Sequence, residues 1–218
     1  MSIIFHVPHS STLIPDEYRG DFCLSDDELE TEIRLMTDWH TADLFGSAAS
    51  KLGQAVEFPV SRLLVDPERF SEDAQESMTS VGMGVIYTKT AHGLPLRVDG
   101  ADDVTRRKSL LEQYYFPHHQ SLIEATQVEL ERSGKALIID CHSFPSIPLP
   151  YEPVQDTKRP DICIGTDEFH TPQRLTDTLC SKFSDLGYSV LVDTPFGGTI
   201  THSQFYKNEK KVISAMIE

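Results

Sequence analysis

Apolar residues fall in two rhythms along this chain. Short, nearly continuous apolar runs, "IIFHV" at the start, "KALIIDC" before residue 142, "DICIG", "YSVLV" and the closing "KKVISAMI", read as buried strands. Between them the apolar positions recur at helical spacing. Ser25 before "DDELETEIRLM" is a helix start, with Glu28 at capping-box distance and an acidic first turn that suits the helix dipole. Leu35, Trp39, Leu44 and Phe45 carry that pattern on to Gly53. "QAVEFPVSRLLVD" is extended, since Pro59 and Pro67 rule out helix there.

Residues 71–105 are loop-rich, with one predicted strand at "VIYTKT". Residues 106–133 give the clearest helix, through Leu110, Leu111, Tyr114, Phe116, Leu122, Ile123, Val128 and Leu130. Pro117 is expected to kink or restart it, and Gly134 closes it. "TPQRLTDTLCSKFSDLG" is a further helix with Thr171 as cap, Pro172 at the first position and Gly187 at the end. Strands alternating with helices predict an α/β sheet with helices on both faces. No repeat, low-complexity tract or linker divides the sequence, so residues 1–218 are expected to form a single domain.

Composition narrows the partners. With 34 acidic against 19 basic residues and a formal charge of −15, the surface disfavours nucleic acid and anionic membranes, and neither is expected as a partner. No apolar run approaches membrane-spanning length, and the start lacks a basic region followed by a long apolar stretch. A cytoplasmic protein is the expectation. Cys23, Cys141, Cys163 and Cys180 form no C-x-x-C pair, and Cys141 and Cys163 read as small core residues.

In an open α/β sheet, ligands bind beyond the carboxyl ends of the strands. His9 follows the first strand and His142 follows "KALIIDC". Two histidines so placed are candidate metal ligands, and zinc in a catalytic site takes three protein ligands with one position left open. Asp38 and His40, in "MTDWHTADLF", compete for the third place, both read as part of the helix that starts at Ser25. Asp140 shares a strand face with His142 and either orients it or accepts backbone hydrogen bonds at the strand end. Arg62 and Arg69 flank Asp66; either they bind a substrate carboxylate or they pair with Asp66 and Glu68. Glu218 ends an apolar strand, as a terminal polar residue or as a general base and acid beside a metal-bound water. A chain stopping on an apolar strand is expected to extend further.

Together these segments resemble the N-formylglutamate amidohydrolase family, itself similar in fold to zinc carboxypeptidases and the succinylglutamate desuccinylase and aspartoacylase group. "HVPHSSTLIPDEYR", "TDWHTADLF", "SRLLVDPERF", "IIDCHSFP", "RPDICIGT", "FGGTITHSQFY" and "SAMIE" resemble successive blocks of that family, in its order. The resemblance implies a phosphorylase/hydrolase-like three-layer sandwich with a mixed central sheet. It implies zinc held by His9, Asp38 and His142, with Glu218 as general base. Arg62 would polarise the scissile carbonyl and Arg69 would hold a substrate carboxylate. The implied reaction is hydrolysis of an N-acyl amino acid, N-formyl-L-glutamate to glutamate and formate, as in histidine degradation. Two positions depart from the pattern: Thr12 stands where an H-x-x-E motif has its glutamate, and Glu68 where S-R-x-x-x-D-x-N-R has asparagine.

Overall fold

The strands lie side by side in the order β2-β1-β3-β6-β4-β5, a mixed sheet in a computed structural model that describes residues 1–218. The elements are β1 (Ile3–Val7), α1 (Asp16–Arg19), α2 (Asp26–Met36), α3 (Thr41–Leu52), β2 (Gly53–Glu57), α4 (Val104–Leu110), α5 (Phe116–Ser133), β3 (Ala136–Cys141), β4 (Ile162–Gly165), α6 (Gln173–Asp185), β5 (Val190–Val192) and β6 (Val212–Ile217). Strands β2, β1, β3 and β6 run parallel, and β4 pairs antiparallel with β6.

Strand alternation sorts the core onto two faces. Ile4 and Ile138, in register on β1 and β3, pack with Leu122 and Ala125 of α5. One residue on, Phe5, Val7, Ile139 and Cys141 pack with Ala49 and Phe45 of α3 on the opposite face. Each fully buried aliphatic side chain there contributes about 2 kcal/mol of transfer free energy. A larger apolar cluster lies beside the sheet, where Phe58, Val60 and Leu63–Val65 meet Val85–Tyr87, Leu96, Tyr18, Leu29 and Leu110.

Ser25 caps α2 as expected, with the Ser25 N–H donating to Glu28 Oε2 at 2.9 Å. The helix does not run through to Gly53. It stops at Met36, Thr37 is extended, and His40 takes a left-handed φ of 68° before α3 begins. Hydrogen bonds explain the break: Asp38 N–H donates to the His9 carbonyl at 3.0 Å, and Trp39 Nε1 donates to the Arg34 carbonyl at 2.8 Å. The apolar spacing persists across the interruption while the backbone turns Asp38 inward.

Three smaller expectations are corrected. "VIYTKT" is not a strand: it makes only isolated bridges, and its backbone groups are satisfied by turns and by Arg97 Nε donating to the Tyr87 carbonyl. Helix disturbance falls just before Pro117, as a π-turn over Leu111–Tyr115, so the proline sits where its missing N–H costs nothing. Pro172, not Thr171, flanks α6; the Thr171 hydroxyl instead donates to the Ser214 carbonyl at 2.7 Å.

Candidate functional site

Strands β1, β3 and β6 are neighbours and parallel, so their carboxyl ends open onto one place. His9 lies just beyond β1, His142 follows β3 and Glu218 follows β6. The ladder continues into the last two: His142 N–H donates to the Ile217 carbonyl at 3.0 Å, and Glu218 N–H to the Cys163 carbonyl at 2.9 Å. Asp38 enters from the break between α2 and α3. The turn after β2 supplies Arg62, Asp66, Glu68 and Arg69.

Asp38 Oδ2 is 2.9 Å from His142 Nδ1 and 3.6 Å from His9 Nδ1. The far nitrogen of His9, Nε2, is 3.0 Å from Asp66 Oδ1. Asp66 is fully buried, accepts from Arg62 Nη2 at 2.9 Å and from the Tyr87 hydroxyl at 2.6 Å, and also takes the Glu68 N–H at 2.9 Å. So engaged, it is a carboxylate acceptor, and His9 Nε2 is its donor. That leaves His9 Nδ1 bare and turned toward Asp38. His9 Nδ1 is buried without a hydrogen-bond partner, as is Glu218 Oε2. Buried orphan atoms in a polar site mark the place of an absent ion or water.

Ligand atoms of Asp38, His142 and Glu218 all lie within 4.8 Å of one another; so do those of His9, Glu68 and His142, and those of His6, Glu68 and Asp140. Imidazole and carboxylate donors at such spacing fit a divalent metal ion.

Charge reinforces the geometry. Burial would raise the Asp38 pKa, but hydrogen bonds from His142 and His9 hold it well below the carboxylate range. Asp66 is likewise held down against burial by Arg62, His9 and Arg69. His142 is pushed upward against burial by Glu68 and Asp140. Glu218 moves the other way: burial raises its pKa to about 8. Its carboxyl therefore exchanges a proton near neutrality, while Asp38 and Asp66 stay ionised.

His9, Asp38, His142 and Glu218 converge as the sequence suggested. His40 does not: it is exposed at the head of α3. Arg62 grips Asp66 and reaches within 3.5 Å of Asp38 Oδ1. Arg69 Nε lies 3.8 Å from Asp66 and has no hydrogen-bond partner. Asp140 does face His142, at 3.3 Å from Nε2. Sequence reasoning missed Glu68 and His6 as members of the cluster, and gave Asp66 only as a partner for the arginines. Glu68 turns its carboxylate to His142 Nε2 at 3.2 Å and to His6 Nδ1 at 3.6 Å. A histidine inside an apolar strand run was the available signal for His6. A cleft of about 340 Å³ lies alongside, lined by Thr37, Trp39 and His40 next to Asp38, and by Ser143 and Phe144 next to His142. A larger one, about 590 Å³, opens elsewhere, between β2 and α5.

The family model for N-formylglutamate amidohydrolase matches residues 1–218. A Pseudomonas putida N-formylglutamate deformylase is 29% identical over 76% of this chain and 59% of its own length. The Pseudomonas aeruginosa N-formylglutamate deformylase is 28% identical over the same shares. The present chain thus spans under two thirds of those relatives. A Ralstonia eutropha N-formylglutamate amidohydrolase crystal structure superposes over all of this chain and 81% of its own, with TM-score 0.81 at 21% identity. An Agrobacterium tumefaciens gene product, Atu2144, superposes over all of this chain and 79% of its own, with TM-score 0.73 at 19% identity. Both show the same fold.

Proposed function

This chain belongs to the N-formylglutamate amidohydrolase family, and from that premise we propose that it is a zinc-dependent hydrolase of N-acyl amino acids, releasing formate and glutamate from N-formyl-L-glutamate. One observation carries the reading: His9 Nδ1, bare of any hydrogen bond, and His142 Nδ1 both turn to one oxygen of Asp38, beside Glu218. His9, Asp38 and His142 would hold the metal. Zinc held there supplies a Lewis acid and brings a bound water's pKa down to about 7.

The chain's own residues supply the rest. Glu218, beside Asp38 and His142 with an unpartnered Oε2, removes a proton as water adds to the amide carbonyl and returns it to the departing amine nitrogen. Arg62 is fixed by Asp66 and Tyr87 within reach of Asp38, and its guanidinium steadies the negative oxygen that develops on the carbonyl. Arg69 keeps an unpartnered Nε for a substrate carboxylate, which orients the amide. Asp66 holds the His9 ring by its Nε2. Glu68 does not oppose an anionic substrate, because its carboxylate is turned to His142 and His6.

The test is a substrate panel with zinc-loaded protein: N-formylglutamate, other N-formyl and N-acyl amino acids, and short peptides. The expected result is the highest kcat/KM on N-formyl-L-glutamate. A preference for peptides or for bulky acyl groups would overturn the substrate assignment.

A further inference from the structure

We infer that the chain carries a second divalent-metal site directly behind the first, built from His6, Glu68, Asp140 and the far nitrogen of His142. It goes beyond the catalytic reading and shares only His142 with it.

The four donors close a ring. His6 Nδ1 is 2.8 Å from Asp140 Oδ1, Asp140 Oδ1 is 3.3 Å from His142 Nε2, His142 Nε2 is 3.2 Å from Glu68 Oε2, and Glu68 Oε1 is 3.6 Å from His6 Nδ1. Bonds of about 2.0–2.2 Å to a tetrahedral ion put neighbouring donors roughly 3.4 Å apart. Strand register creates the pair at its base: His6 and Asp140 are direct partners across β1 and β3, and both are buried on the α5 face. His142 Nε2, on a residue 8% exposed, is buried without a hydrogen-bond partner and points into the ring.

A further argument calls for a cation. Glu68 and Asp140 pair with no lysine or arginine; their ionic neighbours are His6, His9 and His142 alone. Asp140 is buried and Glu68 largely so, and carboxylates so placed need positive charge to offset their desolvation.

Two imidazoles with two carboxylates select a first-row divalent ion such as zinc over calcium or magnesium. With ions on both sides, the His142 ring gives up its remaining N–H proton to solvent.

Zinc content after dialysis against buffered zinc tests the site, in the wild type, Glu68→Gln, His6→Gln and Asp38→Asn, with circular dichroism as the check on folding. The expected counts are two zinc per chain in the wild type and one in each variant. Glu68→Gln is near-isosteric and partly exposed, so it is the variant that decides. A Glu68→Gln count equal to the wild-type count overturns the second site. If in addition Asp38→Asn loses its zinc, the catalytic reading survives alone. Loss in Glu68→Gln with the wild-type count kept in Asp38→Asn supports this site and overturns the catalytic metal instead.

Discussion

His9 donates its Nε2 proton to Asp66 across 3.0 Å, and that contact decides which nitrogen of His9 faces Asp38. Asp66 is itself immobilised by Arg62 and Tyr87. A single buried carboxylate thus sets the tautomer of one metal-ligand candidate and the position of an arginine. Asp66→Asn removes the charge at nearly constant volume. Zinc affinity is expected to fall about 10–100-fold, the usual effect of losing a partner behind a ligating histidine. Chelator competition against the wild type measures it; an unchanged affinity would count against the His9 assignment.

Glu218→Gln separates proton transfer from metal binding. The expected outcome is a kcat lower by about 10²–10⁴-fold with zinc content unchanged. Joint loss of metal and activity would assign Glu218 a ligand role instead.

The same residue gives the metal-free protein a pH signature. Its folded-state pKa, about 8, lies above the ordinary carboxyl value of 4.5. Between those limits the unfolded chain has released the proton that the folded chain keeps. Stability from this group is complete below pH 4.5 and is lost as pH rises through about 8, by at most about 5 kcal/mol. Denaturant titrations of metal-free wild type and Glu218→Gln across that window are expected to converge at low pH and diverge at high pH, with the variant the more stable.

Arg69→Met is expected to raise KM for N-formylglutamate at least 10-fold with little change in kcat, the pattern for a group that binds substrate and transition state alike. Steady-state kinetics on N-formylglutamate and on an N-formyl amino acid amide check it. The penalty is expected to vanish on the substrate that lacks the carboxylate.

Much of this site was legible because it is delivered by strand ends. His9, His142 and Glu218 each follow an apolar run, and parallel neighbours bring such ends together. Asp38 was legible as a residue but not in its setting, since the apolar spacing from Leu35 to Phe45 continues across a break enforced by hydrogen bonds from Asp38 to the His9 loop and from Trp39 to Arg34. His6, Glu68 and Asp140 were not legible as a group. Their meeting depends on the register of β1 against β3, which pairs His6 with Asp140. Local sequence carries no record of a register between segments 134 residues apart. "VIYTKT" misled for a related reason: burial came from a loop-walled core rather than a ladder.

The proposed function requires that this site hydrolyse N-formyl-L-glutamate only when a metal is held by His9, Asp38 and His142. Formate release by chelator-treated protein is to be measured before and after zinc is restored. The expected result is no formate from the stripped protein and recovery on adding zinc. Formate release that survives complete removal of metal, or none after zinc is restored to folded protein, would contradict it.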